Sequence, residues 1–407
     1  MGWDLLWPGI KAGRERTRMS DCNSRPLKVA MLMTNLDDLG VQRVVINLYN
    51  HFDKTKIEPT LILWSREGKV ASFLVEGASV IETDHGLMRP RLLFRLVRYF
   101  WIIRTLKPDL VLSFVPVTNV SYALIKLFLP KKIGFITCEH AFISRAFSTG
   151  EYRGAFRLLY SALFRPTYNF LSDRLVMTSN VGEKDAVENW GVDERKIRVI
   201  YNPQDIQDLR LRSEEPLDDS WFKSANEPIL IAAGRLTKQK GFDSLIRAFA
   251  ILNLKTPCKL AILGRGELEQ SLKLLVSSLA MHENIRFLGF QNNHLKYIKN
   301  SSVFVLSSIW EAMPMIVAET MVIGTPIVSF DCPSGPFEML DGGDCGFLVE
   351  DQNIEALALT LLDVLNNPHK AILKAEKAMV KVEQYSASTI VDNYQDLISE
   401  VVLKKLN

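Results

Sequence analysis

Two carboxylates with seven residues between them, Glu311 and Glu319, mark the stretch of this sequence richest in chemistry. The run between them reads Ala-Met-Pro-Met-Ile-Val-Ala. An apolar segment, 303–307, precedes it and reads as a buried strand. Pro314 suits the first turn of a helix, where its missing N–H costs nothing. A helix beginning there points free N–H groups and the positive end of a dipole out of the sheet edge, which suits a phosphate. Glu319, about two turns along such a helix, would reach ribose hydroxyls. Glu311, at its mouth, would meet sugar hydroxyls or a developing positive charge. Taken alone, the same acids fit a solvated helix residue and an N-cap, so their neighbours decide.

Residues 234–242 (GRLTKQKGF) follow the first strand of the second half. A glycine turn lets the backbone come close to a ligand. Arg235 and Lys240 would converge on one anion and could neutralise a departing diphosphate; read alone, they are a solvated basic turn. Residues 263–268 (LGRGEL) follow the next strand but lack the third glycine of a dinucleotide fingerprint. Leu288-Gly289-Phe290 closes another strand, where a base could pack on Phe290. His140 ends the run Thr137-Cys138-Glu139-His140 at a strand end, and by itself would be a structural hydrogen-bonding histidine.

In this order the motifs resemble one family. GRL-x3-KG, LGRGELE, the LGF strand end, the two glutamates and Gly324-Thr325-Pro326-Ile327-Val328 resemble the signature of the retaining GT-B glycosyltransferases of family 4. Residues 331–340 (DCPSGPFEML) resemble the branch that makes bacterial surface glycans and lipid-linked oligosaccharides. Ile200-Tyr201-Asn202-Pro203 is similar to the family's hinge-side motif. The resemblance runs from about residue 28 to 395, tightly in the second half and loosely in the first. It implies that Arg235, Lys240 and Gly40 bind the donor diphosphate and that Glu319 holds the ribose. It places Glu311, Ala312, Met313, Met315 and His140 around the donor sugar and Phe290 at the base, with Glu311 and His140 catalytic. It also implies retention of anomeric configuration by front-face attack, the leaving phosphate helping to accept the acceptor proton. The chain departs from the family at Leu39-Gly40-Val41-Gln42-Arg43, where Gly-Gly-Ala-Glu-Arg is usual, and at Ala312, where glycine is common. No D-x-D metal motif occurs, so a metal-independent enzyme is expected, with Arg235 and Lys240 in place of a divalent ion. The substrates would be a nucleotide sugar, UDP-linked, and a glycan or lipid-linked acceptor.

The elements that must position these residues alternate. Apolar runs and helix-spaced segments follow each other from residue 28 onward, which implies an α/β protein with parallel sheets and right-handed crossovers. A polar stretch at 205–227 reads as a linker, after which the alternation restarts. The expectation is therefore two Rossmann-like domains facing a cleft, 27–207 for the acceptor and 208–384 for the donor. The tail helix 385–407 would cross back to the first domain. Residues 1–26 would be a poorly ordered extension without a secretory signal, and Met19 is an alternative start. At 407 residues two domains are the prior. A net charge of +3 argues against nucleic acid as a partner. Five scattered cysteines without a C-x-x-C pair argue against a disulfide framework and for a reducing compartment. No apolar run is long enough for a transmembrane helix. Two segments, 89–104 and 144–170, mix arginines with large apolar groups and suit an anionic lipid surface; the plainer reading packs those apolar faces on the sheet. A peripheral protein on the cytoplasmic face of the plasma membrane follows. Two rivals remain: a nicotinamide or flavin oxidoreductase, for which neither half has G-x-G-x-x-G, and a non-catalytic sugar-nucleotide binder or scaffold.

Overall fold

The computed structural model describes residues 25–406 except 38–39, 85–91, 141, 149–153, 224–225 and 334. Nearly all of the expected N-terminal extension thus lies outside the described residues. The first sheet holds β1 (Leu27–Leu32), β2 (Ile57–Leu63), β3 (Val80–Glu82), β4 (Leu110–Ser113), β5 (Gly134–Glu139), β6 (Arg174–Met177) and β7 (Ile197–Val199). The second holds β8 (Ile229–Ala233), β9 (Lys259–Leu263), β10 (Ile285–Gly289), β11 (Val303–Leu306), β12 (Ile327–Phe330) and β13 (Phe347–Val349). Their orders are β3-β2-β1-β4-β5-β6-β7 and β10-β9-β8-β11-β12-β13, with parallel pairing throughout both sheets. These are two Rossmann-like α/β layers, as expected.

The central strands are continuous apolar runs because helices cover both faces, leaving no solvated side for polar alternation. In the first sheet Val29 and Met31 face one core while Ala30 and Leu32 face the other. The three-residue strands β3 and β13 lie at sheet edges and are too short to stand out as apolar runs.

The polar stretch 205–227 is not a bare linker. Asp205 caps the helix Ile206–Ser213, its carboxylate accepting from the Asp208 N–H at 3.0 Å. Ile206 and Leu209, together with Phe222 further on, enter the core of the second half. The hydrophilic outer face of this helix hides the period. The helix Ala387–Leu406 crosses back to the first sheet, where Ile390, Tyr394, Ile398 and Val401 pack with Met31, Leu112 and Ile136. Ion pairs from Arg174 to Glu400 (2.5 Å) and from Lys405 to Asp173 (2.7 Å) pin it there. The outward and returning chain crossings run side by side: the Gln204 N–H donates to Tyr385 O at 2.8 Å and the Ala387 N–H to Gln204 O at 2.7 Å.

Candidate active site

The order of the second sheet reverses between β8 and β11. Loops leaving such a pair at their C-terminal ends diverge and open a crevice, the usual ligand site of open α/β sheets. The loop after β8 carries Arg235 and Lys240; the loop after β11 carries Glu311. They meet where Lys240 Nζ donates to Glu311 Oε1 at 2.5 Å, and Ser308 Oγ donates to the same oxygen at 2.6 Å. Both ends of this ion pair are largely removed from solvent. The two loops can touch because Gly241 adopts φ +58°; a Cβ there would lie 2.1 Å from Ser307 O. Arg235 stands exposed at the head of the loop, its side chain unpaired among the described residues.

Pro314 occupies the N-cap, and the helix runs Met315–Ile323. Glu319 is therefore four residues in, little more than one turn and not two. It is 4% exposed. His294 Nε2 lies 2.6 Å from its Oε2 and, against a carboxylate, must be the donor. Arg43, on the first-half helix Gly40–His51, approaches Oε1 at 3.5 Å. Burial alone would push this carboxyl up; His294, Arg43 and Arg212 overcome that and hold it at about 2. Arg43 and Arg212 also lie over the Phe73 ring, at 5.8 and 5.2 Å from its centroid. Phe290 follows the C-terminal end of β10, half-buried, beyond the left-handed Gly289.

His140 comes from the other sheet, at the end of β5. Its ring stacks on Phe114 at 6.2 Å, and Nδ1 lies 3.2 Å from Asn202 Oδ1. Burial pulls its pKa down to about 4, against the opposing pull of the Asn202 hydrogen bond. The ring is therefore neutral at ordinary pH. Next to it, Glu139 is wholly buried and accepts from Asn119, Tyr160 and Tyr168; burial still pushes its carboxyl up to about 7.

The remaining expected sugar-site residues sit where the two halves touch. A Cβ on Gly40 would lie 3.4 Å from Met315 Cγ. The Met313 and Met315 side chains face the hinge, their sulfurs 3.1 Å from the Asn202 backbone nitrogen and from Gln204 Nε2. Ala312 O lies under Gly335, where a Cβ would approach to 2.5 Å. Glu338 bridges the halves as well, accepting from Tyr201 Oη at 2.5 Å and from the Asn180 backbone N–H at 3.1 Å. Asn202, His294, Ser308, Arg43 and Arg212 were not among the expected site residues. Asn202 lies in the Ile200-Tyr201-Asn202-Pro203 motif after β7, a signal that could have flagged it, and His294 directly precedes the helix Leu295–Lys299.

Two family models cover the halves in order. The Glycosyltransferase Family 4 model matches residues 40–208 and the Glycosyl transferases group 1 model residues 213–382. Half by half, the chain is similar to the family 4 and group 1 glycosyltransferases. An uncharacterised glycosyltransferase of Methanocaldococcus jannaschii is 33% identical over 261 residues, covering 61% of this chain and 62% of that protein. The lipopolysaccharide core biosynthesis glycosyltransferase LpsE of Rhizobium meliloti is 26% identical over 368 residues, covering 89% of this chain and 96% of that protein. For three of the curated relatives the match spans only 50–62% of the relative's own length. Anabaena HepE, crystallised with UDP, shares the GT-B fold at 17% identity and a TM-score of 0.75 over 92% of this chain and 100% of that one.

The two basic, aromatic segments of the chain divide between core and surface. On the helix Leu92–Leu106, Tyr99 and Ile103 are buried while Leu93, Phe94, Val97 and Trp101 are exposed. In 144–170, Phe147, Tyr160 and Phe164, expected on the lipid-facing side, are instead core residues packed with Tyr168. Leu158 and Phe170 are exposed. Arg89 and Arg153 lie outside the described residues, as do the side chains of Arg145 and Arg157. Among the described residues no helix is long and apolar enough to cross a membrane, and no group of three or more acidic, histidine or cysteine side chains is placed to hold a metal ion.

Proposed function

We propose that this chain transfers a hexose or N-acetylhexosamine from a UDP-sugar, with retention, to a lipid-linked glycan during surface-polysaccharide assembly. The observation that carries this reading is the Lys240–Glu311 pair at the switch point of the second sheet, with the ionised Glu319 on the helix that follows. UDP in the HepE crystals and the lipopolysaccharide-core role in the LpsE name support the donor and the acceptor class. The protein would work at the cytoplasmic membrane face, its 92–106 helix laying Leu93, Phe94 and Trp101 into lipid.

Departure of UDP leaves two negative phosphates and an oxocarbenium-like sugar. Arg235, Lys240 and the helix start at Met315 oppose the phosphate charge, each worth most where water is excluded. Lys240 exchanges Glu311 for a phosphate oxygen when donor binds. Glu311 is thereby released toward the sugar. Glu319, held ionised, accepts from two ribose hydroxyls, and the ribose displaces Arg43 from it. With these cations supplying the charge, transfer is expected to survive EDTA. A thermal-shift screen against nucleotide sugars tests the reading, because a ligand of the folded state raises apparent stability. A rise in Tm with UDP-sugars, lost in Lys240→Met, is expected. No response to any nucleotide would overturn it.

A further inference from the structure

One residue touches both halves of the site. Asn202 is 5% exposed and lies on the outward chain crossing. Its amide Nδ2 faces Met313 O at 3.4 Å, and its Oδ1 faces His140 Nδ1 at 3.2 Å. A main-chain carbonyl can only accept, so the NH2 group must point at Met313. The amide oxygen must then face the histidine, and Nδ1 must carry the proton. His140 Nε2 is left with its lone pair. That atom is buried and has no hydrogen-bond partner among the described residues. A buried acceptor without a donor is costly, on the order of 1–3 kcal/mol, and calls for a ligand hydroxyl or water.

We infer that Asn202 is a positioning residue: its carbonyl fixes His140 in the Nδ1–H form, and its amide ties that ring to the Met313 carbonyl of the donor loop. The halves of the cleft then present one aligned acceptor, the Nε2 lone pair, to a substrate hydroxyl. The catalytic part of this inference rests on the transferase reading above. Among the described residues, the ring's recorded partners are neutral. Phe114 stacks on one side and Asn202 holds one edge, while Glu139, adjacent in sequence, points into the cluster of Asn119, Tyr160 and Tyr168.

Two variants separate the two halves of the role. Asn202→Ala removes both bonds. Asn202→Asp still accepts from Nδ1–H but cannot donate to Met313, and its charge favours the imidazolium. The test combines ¹⁵N spectra of histidine-labelled protein with steady-state kinetics. The chain has six histidines, and the His140 signals are those absent from His140→Gln. In the wild type at pH 7, Nδ1 is expected protonated and Nε2 bare. Asn202→Ala should lose that preference and drop kcat about tenfold or more, with donor KM changed far less. Asn202→Asp should keep the tautomer and move the acid limb of kcat to higher pH. Melting curves and UDP binding show whether each variant is folded; if Asn202→Ala is not, Asn202→Asp carries the test. A wild-type His140 protonated at Nε2 would overturn the inference. So would an Asp variant whose pH profile and kcat are those of the wild type. The spectra need no substrate: absence of turnover by the wild type would overturn the donor-site reading, and with it the catalytic part alone.

Discussion

Glu311 and Glu319 are close in sequence yet differ in what they hold. Glu319 is fixed as a carboxylate by three basic side chains and is expected to bind ribose equally in ground and transition states. Glu319→Gln should therefore raise donor KM more than it lowers kcat. Glu311 is proposed to face the reacting sugar, and on that reading Glu311→Gln should chiefly lower kcat. Steady-state kinetics of the two variants check this; a reversed pattern would exchange the roles. Stability depends on the same charges. Glu319 is held at about 2 against an ordinary 4.5, so the unfolded chain takes up its proton first as pH falls. Its stabilising contribution is complete above about 4.5 and is lost as pH falls toward 2. Glu139 acts in the opposite sense. Its folded-state pKa, raised to about 7, keeps a proton that the unfolded chain gives up near 4.5, so its effect is to lower stability as pH rises through that window. Glu139→Gln should thus gain in Tm relative to wild type between pH 5 and pH 8, and a Tm difference independent of pH would contradict it. At this scale the sequence showed the charged residues of the loops after strands, such as Lys240 and Glu311. It did not show that Asn202 meets His140 across 62 positions or that His294 meets Glu319 across 25, because only the fold brings those side chains together.

Among the elements, the parallel strands were legible because burial on both faces leaves continuous apolar runs. The helix Ile206–Ser213 was not, because its mean composition is polar and its few buried positions are spread over two turns. The edge strands β3 and β13 are three residues each, below the length at which a pattern shows. The arginine-rich segments were read as one kind of surface, yet the structure divides them. Tyr160, Phe164 and Tyr168 hold the fold, and the exposed apolar groups are Leu93, Phe94, Val97 and Trp101 on the helix Leu92–Leu106 with Leu158 and Phe170 in the second segment. Replacing Leu93 and Trp101 by serine should therefore leave the melting curve nearly unchanged. It should also cut sedimentation with anionic liposomes by roughly tenfold or more, since each side chain can bury on the order of 1.5 kcal/mol of apolar surface. Undiminished liposome binding would assign that face to something other than lipid.

For the whole molecule, the contacts across the cleft matter most. Arg43 to Glu319, Asn202 to Met313 and Glu338 to Tyr201 and Asn180 join the halves. Two of these contacts use groups that a bound donor would also engage, so ligand binding and the spacing of the halves are coupled. Glu338, which was not among the expected donor-binding residues, is the contact to perturb: Glu338→Ala should enlarge the donor-free radius of gyration in small-angle scattering, with UDP reversing part of the change. An unchanged radius would mean that the remaining contacts suffice. The proposed chemistry itself is tested most directly by UDP release from a UDP-sugar panel, with and without a lipid-linked glycan acceptor, in wild type and Lys240→Met. Acceptor-dependent release that falls roughly 100-fold or more in the variant is predicted, from the loss of one preorganised cation at the leaving group. Release at wild-type rates from a well-folded Lys240→Met protein would contradict it.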